Sequence, residues 1–388
     1  MGVTRSKLGF AATAVVGVAF VIFYLARRQK MAPFQDFHSF WVASLAVFTE
    51  SASPYSDAFT RLSHTVDGVV YPYVYPPPSL PLLYPLAVAG DLETAAFNNF
   101  ILSIAAAFLI AALVIRSMPR WKSSVWFGPA VVLFLLGSLI TRRELSYGQI
   151  DLYVLLFMLL AFQFRHSHVI AGPALALAIL LKVYAVVLLP LLVLDKRYRT
   201  IGLAAVGLIA ASLVVVSPLF PPGLWQDWYR QMLSDGRIGA AFPVTNPWNV
   251  SVHGMAAKLD VPPATSFAGL LAMFALTGLA WLRSKDRIGW VHVYSASCLI
   301  ALAPTIAWPQ YGIYVMPAAL YCAFAALARK DFPQLVLASL ACLVLFRYAT
   351  DWTVPLVHSG AVLFAANVTV WLLGLIEILR RDSRVPDN

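Results

Sequence analysis

Long apolar runs separated by charged or proline-rich stretches dominate the hydropathy pattern of this 388-residue chain. A helix needs about 20 apolar residues, at 1.5 Å per residue, to cross a bilayer. Runs near that length fall at 8–25, 93–116, 124–140, 149–164, 201–217, 263–282, 289–303, 311–328, 333–349 and 360–379. The pattern therefore predicts an all-α, polytopic integral membrane protein.

One further apolar stretch, 169–194, is interrupted by Lys182 and fits either one long span or two short half-helices hinged at that lysine. Lys and Arg accumulate on the cytoplasmic side of membrane proteins. The hinged arrangement places most Lys and Arg residues there, whereas a continuous span does not. We therefore predict about twelve membrane segments, with both termini inside and two long outer segments, 26–92 and 218–262, that carry interfacial helices.

Composition supports this class, since 60% of the residues are hydrophobic and only 12% are charged. A soluble domain does not show that balance, so the net charge of +10 does not indicate nucleic-acid binding. Residues 8–25 resemble a signal peptide but lack a small-x-small cleavage site, so we interpret them as an uncleaved span. We find no internal repeat and predict a single membrane-embedded domain over 1–388.

Asp36 is the most prominent acid of the first outer segment. It precedes a helical stripe of bulky residues that we expect to lie at the membrane surface, formed by Phe37, Phe40, Trp41, Leu45 and Phe48. Its carboxylate fits either of two roles, an N-cap of this helix or a general base that takes a proton from a hydroxyl. His38 is a weaker candidate beside it.

Two other acids, Asp91 and Glu93, match an acid-x-acid metal pattern only loosely and fit the start of a helix better. The stretch between the two groups of acids, Tyr71–Leu83, is rich in proline. It predicts an extended entry followed by a short helix. The three cysteines lie inside apolar segments, so we expect neither a disulfide framework nor a thiolate metal site.

Cations lie in two unusual places. The predicted outer loop Thr141–Asp151 carries Arg142 and Arg143, although outer loops need no positive charge for topology. These arginines fit either an anion clamp or contact with lipid headgroups. A lysine at mid-membrane depth costs about 2.5 to 3.5 kcal/mol, so Lys182 predicts a polar cavity and a partner such as phosphate, unless it reaches the membrane surface.

Several fragments together resemble the family 87 glycosyltransferases, polyprenyl-phosphate-mannose-dependent membrane enzymes of the GT-C class. They run in the same order over residues 36–259. The fragments are Asp36-Phe37 with Trp41 and Ala43, Pro54-Tyr55, Tyr75-Pro76-Pro77 with Leu80 and Pro85-Leu86-Ala87, Gly148-Gln149, Ala176 to Lys182, and Asn249-x-Ser251 with Gly254 and Lys258.

The resemblance implies an inverting hexosyltransferase with a GT-C-type fold, which moves a hexose from a polyprenyl-phosphate donor to a glycolipid or glycan hydroxyl. Mannose is the sugar that the resemblance implies. It implies a site on the outer face of the plasma membrane, without metal or cofactor. Asp36 matches the catalytic base. Donor-phosphate contacts are expected from Arg142, Arg143 and Lys182, and substrate contacts from His38, Tyr75, Gln149, Asn249 and Gln310.

Two positions depart from the family pattern. Gln310 stands in Trp308-Pro309-Gln310 where the family often has a histidine, and Asp151 stands where it has an asparagine after Gly-Gln. We expect these changes to affect the sugar or the acceptor rather than the reaction. A transporter or flippase for a lipid-linked sugar is the alternative, because broken helices and intramembrane charges also mark transport pathways. That alternative predicts two related halves.

Overall fold

The structure, a computed structural model, describes residues 2–27, 34–66, 70–88, 90–118, 121, 124–194, 198–233, 242–284, 288–347 and 360–381. Parts of both predicted outer segments, residues 28–33, 67–69, 89 and 234–241, lie outside the described residues. Within the described ranges the chain is helical and has no strand, so the predicted all-α class is confirmed.

The helices follow one another in the order α1 Gly2–Arg27, α2 Gln35–Phe48, α3 Asp57–Ser63, α4 Ser79–Ala87, α5 Leu92–Ser117, α6 Phe127–Gly137, α7 Leu139–Tyr147, α8 Asp151–Gln163 and α9 His168–Leu181. They continue with α10 Leu189–Leu194, α11 Arg199–Val216, α12 Leu224–Leu233, α13 Val252–Lys258, α14 Pro263–Arg283, α15 Trp290–Leu302, α16 Met316–Arg329, α17 Phe332–Arg347 and α18 Ala361–Arg381. Short 3₁₀ helices occupy Val183–Leu188, Ser217–Leu219 and Pro309–Tyr314.

Six segments of the described chain are long and apolar enough to cross a membrane. They are Lys7–Arg27, Leu92–Ser117, Arg199–Leu219, Pro263–Arg283, Pro309–Arg329 and Ala361–Arg380. Helices α7 and α8 together would make a seventh, broken by a bend of 114°. The protein is therefore a polytopic membrane protein, and the count of about twelve segments stays a prediction.

The helix break at Lys182 is present. Helix α9 ends at Leu181, Lys182 is extended with φ −150° and ψ 109°, and the chain continues as a 3₁₀ helix into α10. The entry predicted for the proline-rich stretch is also confirmed, because residues 70–78 are irregular and α4 begins at Ser79. Asp91 caps α5 by accepting a hydrogen bond from the Thr94 backbone N–H at 2.8 Å.

The predicted loop Thr141–Asp151 is wrong, because residues 139–147 form helix α7. The Ser138 side chain caps its start by accepting the Thr141 backbone N–H at 3.0 Å, a common helix-initiating contact. Gly148, with φ +69°, ends it in the left-handed conformation. The predicted span 124–140 stops early at Gly137, where Ser138 is extended.

The helix predicted after Asp36 is confirmed as α2, but its surroundings differ from an interfacial helix with one apolar stripe. Phe37 and Phe40 are buried, and so is a second face that contains Val42, Ala43 and Ala46. Small side chains on that face let neighbouring elements approach the α2 backbone closely. The helix is thus embedded in the protein, and its first turn is held at a fixed position.

Helix α15 lies at the centre of the packing, since every residue from Val291 to Leu302 is buried. Helices apolar on all sides are typical of such interior positions. By contrast, α1, α11 and α14 leave large apolar side chains exposed, such as Phe10, Val214 and Leu271. Exposed apolar surface of this extent fits contact with lipid.

Substitution of Gly148 tests the junction between α7 and α2. A Cβ at Gly148 would lie 2.7 Å from Phe37 Cβ, and the residue is in the left-handed region. That conformation alone costs an L-residue about 1–2 kcal/mol. We expect Gly148→Ala to lower the apparent unfolding temperature of the detergent-solubilised protein, whereas Gly278→Ala, in an open helical position of α14, leaves it unchanged or raises it. Equal unfolding temperatures for both variants would contradict this account.

Candidate functional site

The Asp36 carboxylate lies in the first turn of α2 and does not cap it. The N-cap position is Phe34, which has no side-chain cap bond, so the cap interpretation is wrong. Instead, the carboxylate accepts a hydrogen bond from Gln149 Nε2. The same amide accepts a hydrogen bond through its Oε1 from the Tyr75 hydroxyl at 3.1 Å. Three segments distant in sequence therefore meet at this acid.

Local backbone geometry brings these three side chains together. Gln149 lies in the sharp bend between α7 and α8, directly after Gly148. Tyr75 comes from the proline-rich segment before α4, and its ring packs 4.7 Å from the ring of Phe40 on α2. Because each side chain is fixed by its own element, the hydrogen-bonded chain from Tyr75 to Asp36 is preorganised.

Lys182 pairs with Asp151, with 2.6 Å between Nζ and Oδ1. Both residues are buried, with 4% and 0% of their surfaces exposed. The Tyr314 hydroxyl donates to the same Asp151 oxygen. The predicted partner of Lys182 was phosphate, and the structure instead provides Asp151, because a buried ammonium needs a counter-charge even without ligand. The role of Lys182 toward a donor phosphate stays a prediction.

Aromatic rings connect this ion pair to the acid. Lys182 Nζ lies 3.9 Å from the centroid of the Tyr311 ring and 5.7 Å from that of Tyr75. Both distances are within the range of cation–π attraction. Tyr75 thus contacts Lys182 with its ring and the amide that holds Asp36 with its hydroxyl.

The electrostatic surroundings bring the pKa of the Asp36 carboxyl close to neutral pH. Burial raises the pKa of the Asp36 carboxyl to about 7, against the opposing effects of the Gln149 hydrogen bond and the Lys182 charge. The Asp151 charge adds to the increase. A general base works best when its pKa lies near the operating pH, so the arrangement suits proton transfer from a hydroxyl.

The two predicted anion-clamp arginines point in different directions from α7. Arg142 is close enough to α1 for its charge to act on the Tyr24 hydroxyl. Arg143 lies over the Trp248 ring, with 5.9 Å from its guanidinium carbon to the ring centroid. Tyr147 shares the helix face of Arg143, four residues away. Both Tyr147 and Asp36 are close enough to the Tyr71 hydroxyl to act on it electrostatically, so Tyr71 lies near both α2 and this face of α7.

Asn249 joins two segments of the chain through its side-chain amide. Its Nδ2 donates to the carbonyls of Val244 and Thr305 at 3.0 and 2.9 Å. Its Oδ1 accepts from the backbone N–H groups of Ser251 and Ala307 at 3.1 and 2.9 Å. These four bonds hold the segment around Trp248 against the segment that leads to Gln310. The predicted contact of Asn249 with substrate stays a prediction.

His38 and Gln310 are both buried, with 6% of each exposed. Burial lowers the pKa of His38, and its Nδ1 has no hydrogen-bond partner among the described residues. Gln310 lies in the 3₁₀ helix that carries Tyr311 toward Lys182. Their predicted substrate contacts stay predictions.

Sequence reasoning missed four side chains of this cluster. They are Glu144, Tyr311, Tyr314 and, as the counter-ion of Lys182, Asp151. One signal was present, since Ser138 and Gly148 bracket nine residues as a helix start and stop. Recognising that helix would have put Glu144 on its buried face. Nothing in the sequence pairs Asp151 with Lys182 across 31 positions.

Comparison with known proteins supports the resemblance. Residues 73–350, well over half of the chain, match the model of glycosyltransferase family 87. Two curated relatives, from Mycobacterium tuberculosis and Mycolicibacterium smegmatis, are each described as a polyprenol-phosphate-mannose-dependent alpha-(1-2)-phosphatidylinositol mannoside mannosyltransferase.

The M. tuberculosis protein is 24% identical to this chain over 307 residues, which cover 74% of this chain and 70% of the relative. The M. smegmatis protein is 24% identical over 309 residues, which cover 72% and 68%. No solved structure matches the chain significantly. The helical membrane architecture, the family match and the relatives agree: this chain belongs to glycosyltransferase family 87 and is a membrane-embedded glycosyltransferase.

Proposed function

We propose that this enzyme transfers mannose, with inversion, from a polyprenyl-phosphate mannose donor to a glycolipid hydroxyl at the outer face of the plasma membrane. The donor and the class of acceptor are those in the names of the two mycobacterial relatives. The observation that carries the proposal is the Asp36 carboxylate, whose pKa is raised to about 7 and which is held by Gln149 near Lys182. Membership of a transferase family favours this function over the transporter alternative.

The reaction is a single displacement. Asp36 accepts the proton of the acceptor hydroxyl, and the oxygen attacks the anomeric carbon of the donor sugar. The bond from that carbon to the phosphate oxygen breaks, and its electron pair leaves with the polyprenyl phosphate. Attack opposite the departing phosphate inverts the anomeric carbon. The protein supplies the proton acceptor and fixed positive charge for the leaving group.

Arg143 is the cation that we propose to contact the phosphate. It is half-buried beside Trp248 and shares its helix face with Tyr147, which like Asp36 lies near Tyr71. A guanidinium donates two parallel hydrogen bonds to phosphate oxygens. Lys182, already paired with Asp151, acts from further inside the protein through its charge. Arg142 lies toward α1 and is the natural control for Arg143.

Removal of the base tests the proposal. Asp36→Asn keeps a polar side chain against Gln149 but cannot take up a proton, so we expect transfer to fall about 10²- to 10⁴-fold with unchanged unfolding temperature. The measurement is transfer of labelled mannose from polyprenyl-phosphate mannose to a phosphatidylinositol mannoside by the purified enzyme. Asp57→Asn, at an exposed acid of α3, is the matched control. Transfer by Asp36→Asn within about threefold of wild type would exclude Asp36 as the base.

The pH dependence follows from the raised pKa of Asp36. Only the carboxylate accepts a proton, and a carboxyl with a pKa of about 7 is mainly protonated below that pH. We expect kcat/KM to fall about tenfold per unit of pH below 7. Gln149→Ala removes a hydrogen bond that stabilises the carboxylate. The fall of kcat/KM on the acidic side should therefore begin at a higher pH in this variant than in the wild type. A fall that begins only near the ordinary aspartate pKa of about 3.9 would contradict the assignment.

The two arginines give a matched pair of variants. A hydrogen bond to a charged group contributes about 1.5–3 kcal/mol, so we expect Arg143→Met to raise the KM for the donor about tenfold or more. Arg142→Met should change that KM less than about threefold, because its side chain lies toward α1. Steady-state kinetics with varied donor concentration measure both. A larger effect from Arg142→Met would reverse the assignment.

A further inference from the structure

Glu144 is a buried carboxyl that the proposed reaction does not use. It lies on α7 with none of its surface exposed. Neither of its oxygens accepts a hydrogen bond from any described residue. Asp151 shows a related pattern. Its Oδ1 accepts hydrogen bonds from Lys182 and Tyr314, while its Oδ2 has no donor within the described ranges.

The oxygens without a hydrogen-bond donor belong to two neighbouring side chains, Glu144 and Asp151. Among the charges that act on Glu144, that of Asp151 is the strongest, followed by those of Lys182 and Asp36. Two buried carboxyls therefore lie near a single ammonium within the described part of the chain. If both were ionised, one negative charge would be buried with neither a counter-ion nor a donor, which is among the most unfavourable arrangements in a protein interior.

We propose that Glu144 and Asp151 share one proton. Glu144 is a carboxylic acid whose O–H donates to Asp151 Oδ2, and Asp151 remains the carboxylate that pairs with Lys182. One proton thus satisfies the open oxygen of Asp151 and removes the unpaired charge of Glu144. Two adjacent carboxyls that cannot both ionise commonly share a proton in this way. The cluster of Glu144, Asp151 and Lys182 then has no net charge.

Every charged or titratable group of the described residues that faces the cluster is consistent with this assignment. Besides Lys182 these groups are Asp36 on α2, Tyr75 before α4, Tyr184 in the 3₁₀ helix after α9, and Tyr311 and Tyr314 in the 3₁₀ helix after α15. Among them Lys182 is the only cation, and it already has Asp151 as its partner. None of these side chains gives Glu144 a counter-charge of its own.

The shared proton makes Glu144 a positioning residue. A neutral cluster leaves Lys182 fixed between Asp151 and the Tyr311 ring and adds no second negative charge beside Asp36. An anionic donor phosphate then meets less repulsion from the interior of the protein. This consequence rests on the proposed function, whereas the protonation itself rests only on the structure.

Infrared spectroscopy tests the protonation directly, because a carboxylic acid and a carboxylate absorb at resolved carbonyl frequencies. The protein in lipid nanodiscs is measured two pH units above the pKa of Asp36, where that acid is ionised. We expect one carboxylic acid band that shifts on ¹³C labelling of glutamate carboxyls and disappears in Glu144→Gln. Lys182→Met should strengthen the carboxylic acid signal, because the second carboxyl loses its cation and takes up a proton.

A wild-type spectrum without a glutamate carboxylic acid band overturns the proposal, and so does a band that shifts only with labelled aspartate. The labelling needs no substitution, so the test holds even if a variant does not fold. Unfolding temperatures add a second readout. Glu144→Gln keeps a neutral donor to Asp151 and should unfold at a higher temperature than Glu144→Leu, which has no donor. Mannose transfer by the same samples is scored separately, so its failure counts against the proposed function alone.

Discussion

The structure depends on one constraint, the need of a buried ammonium for a counter-charge. Lys182 lies where α9 breaks, Asp151 begins α8, and Tyr314 belongs to the 3₁₀ helix before α16. The side chains meet at a single carboxylate oxygen. In surroundings of low dielectric constant such a contact is strong and a missing partner is costly. The pair therefore determines where three apolar segments approach one another, a choice that nondirectional apolar packing leaves open.

The pair of Lys182 and Asp151 is connected to Asp36 through two neutral side chains. Lys182 lies against the ring of Tyr75, Tyr75 donates to Gln149, and Gln149 donates to Asp36. Such a chain holds a carboxylate in place without an adjacent cation, which would lower its pKa and weaken it as a base. Burial raises the pKa of Asp36 while Gln149 and the Lys182 charge limit the increase. The balance of these effects keeps the pKa of Asp36 near neutral pH.

The sequence indicated the site correctly where a single charged residue in an apolar segment is unfavourable by itself. Asp36 in an apolar run and Lys182 between two half-helices each predict a polar site, because an isolated charge there is unfavourable. It was less informative about partners. The pairing of Lys182 with Asp151 depends on how α8 and α9 pack, and local pattern does not encode that packing. The error over residues 139–147 was different, since the caps were visible but the charges of Arg142 and Arg143 favoured a loop.

Asp36 lies outside the region that matches the family model, although the residues that hold its carboxylate lie inside that region. The matched region begins at residue 73, after Asp36, so the match alone says nothing about this acid. Yet both residues of the chain that holds its carboxylate, Tyr75 and Gln149, lie inside the matched region. A donor amide that had no acid to bind would leave its N–H₂ group unsatisfied in a largely buried place. The matched region therefore presents a donor amide at this point, and Asp36 on α2 is its acceptor.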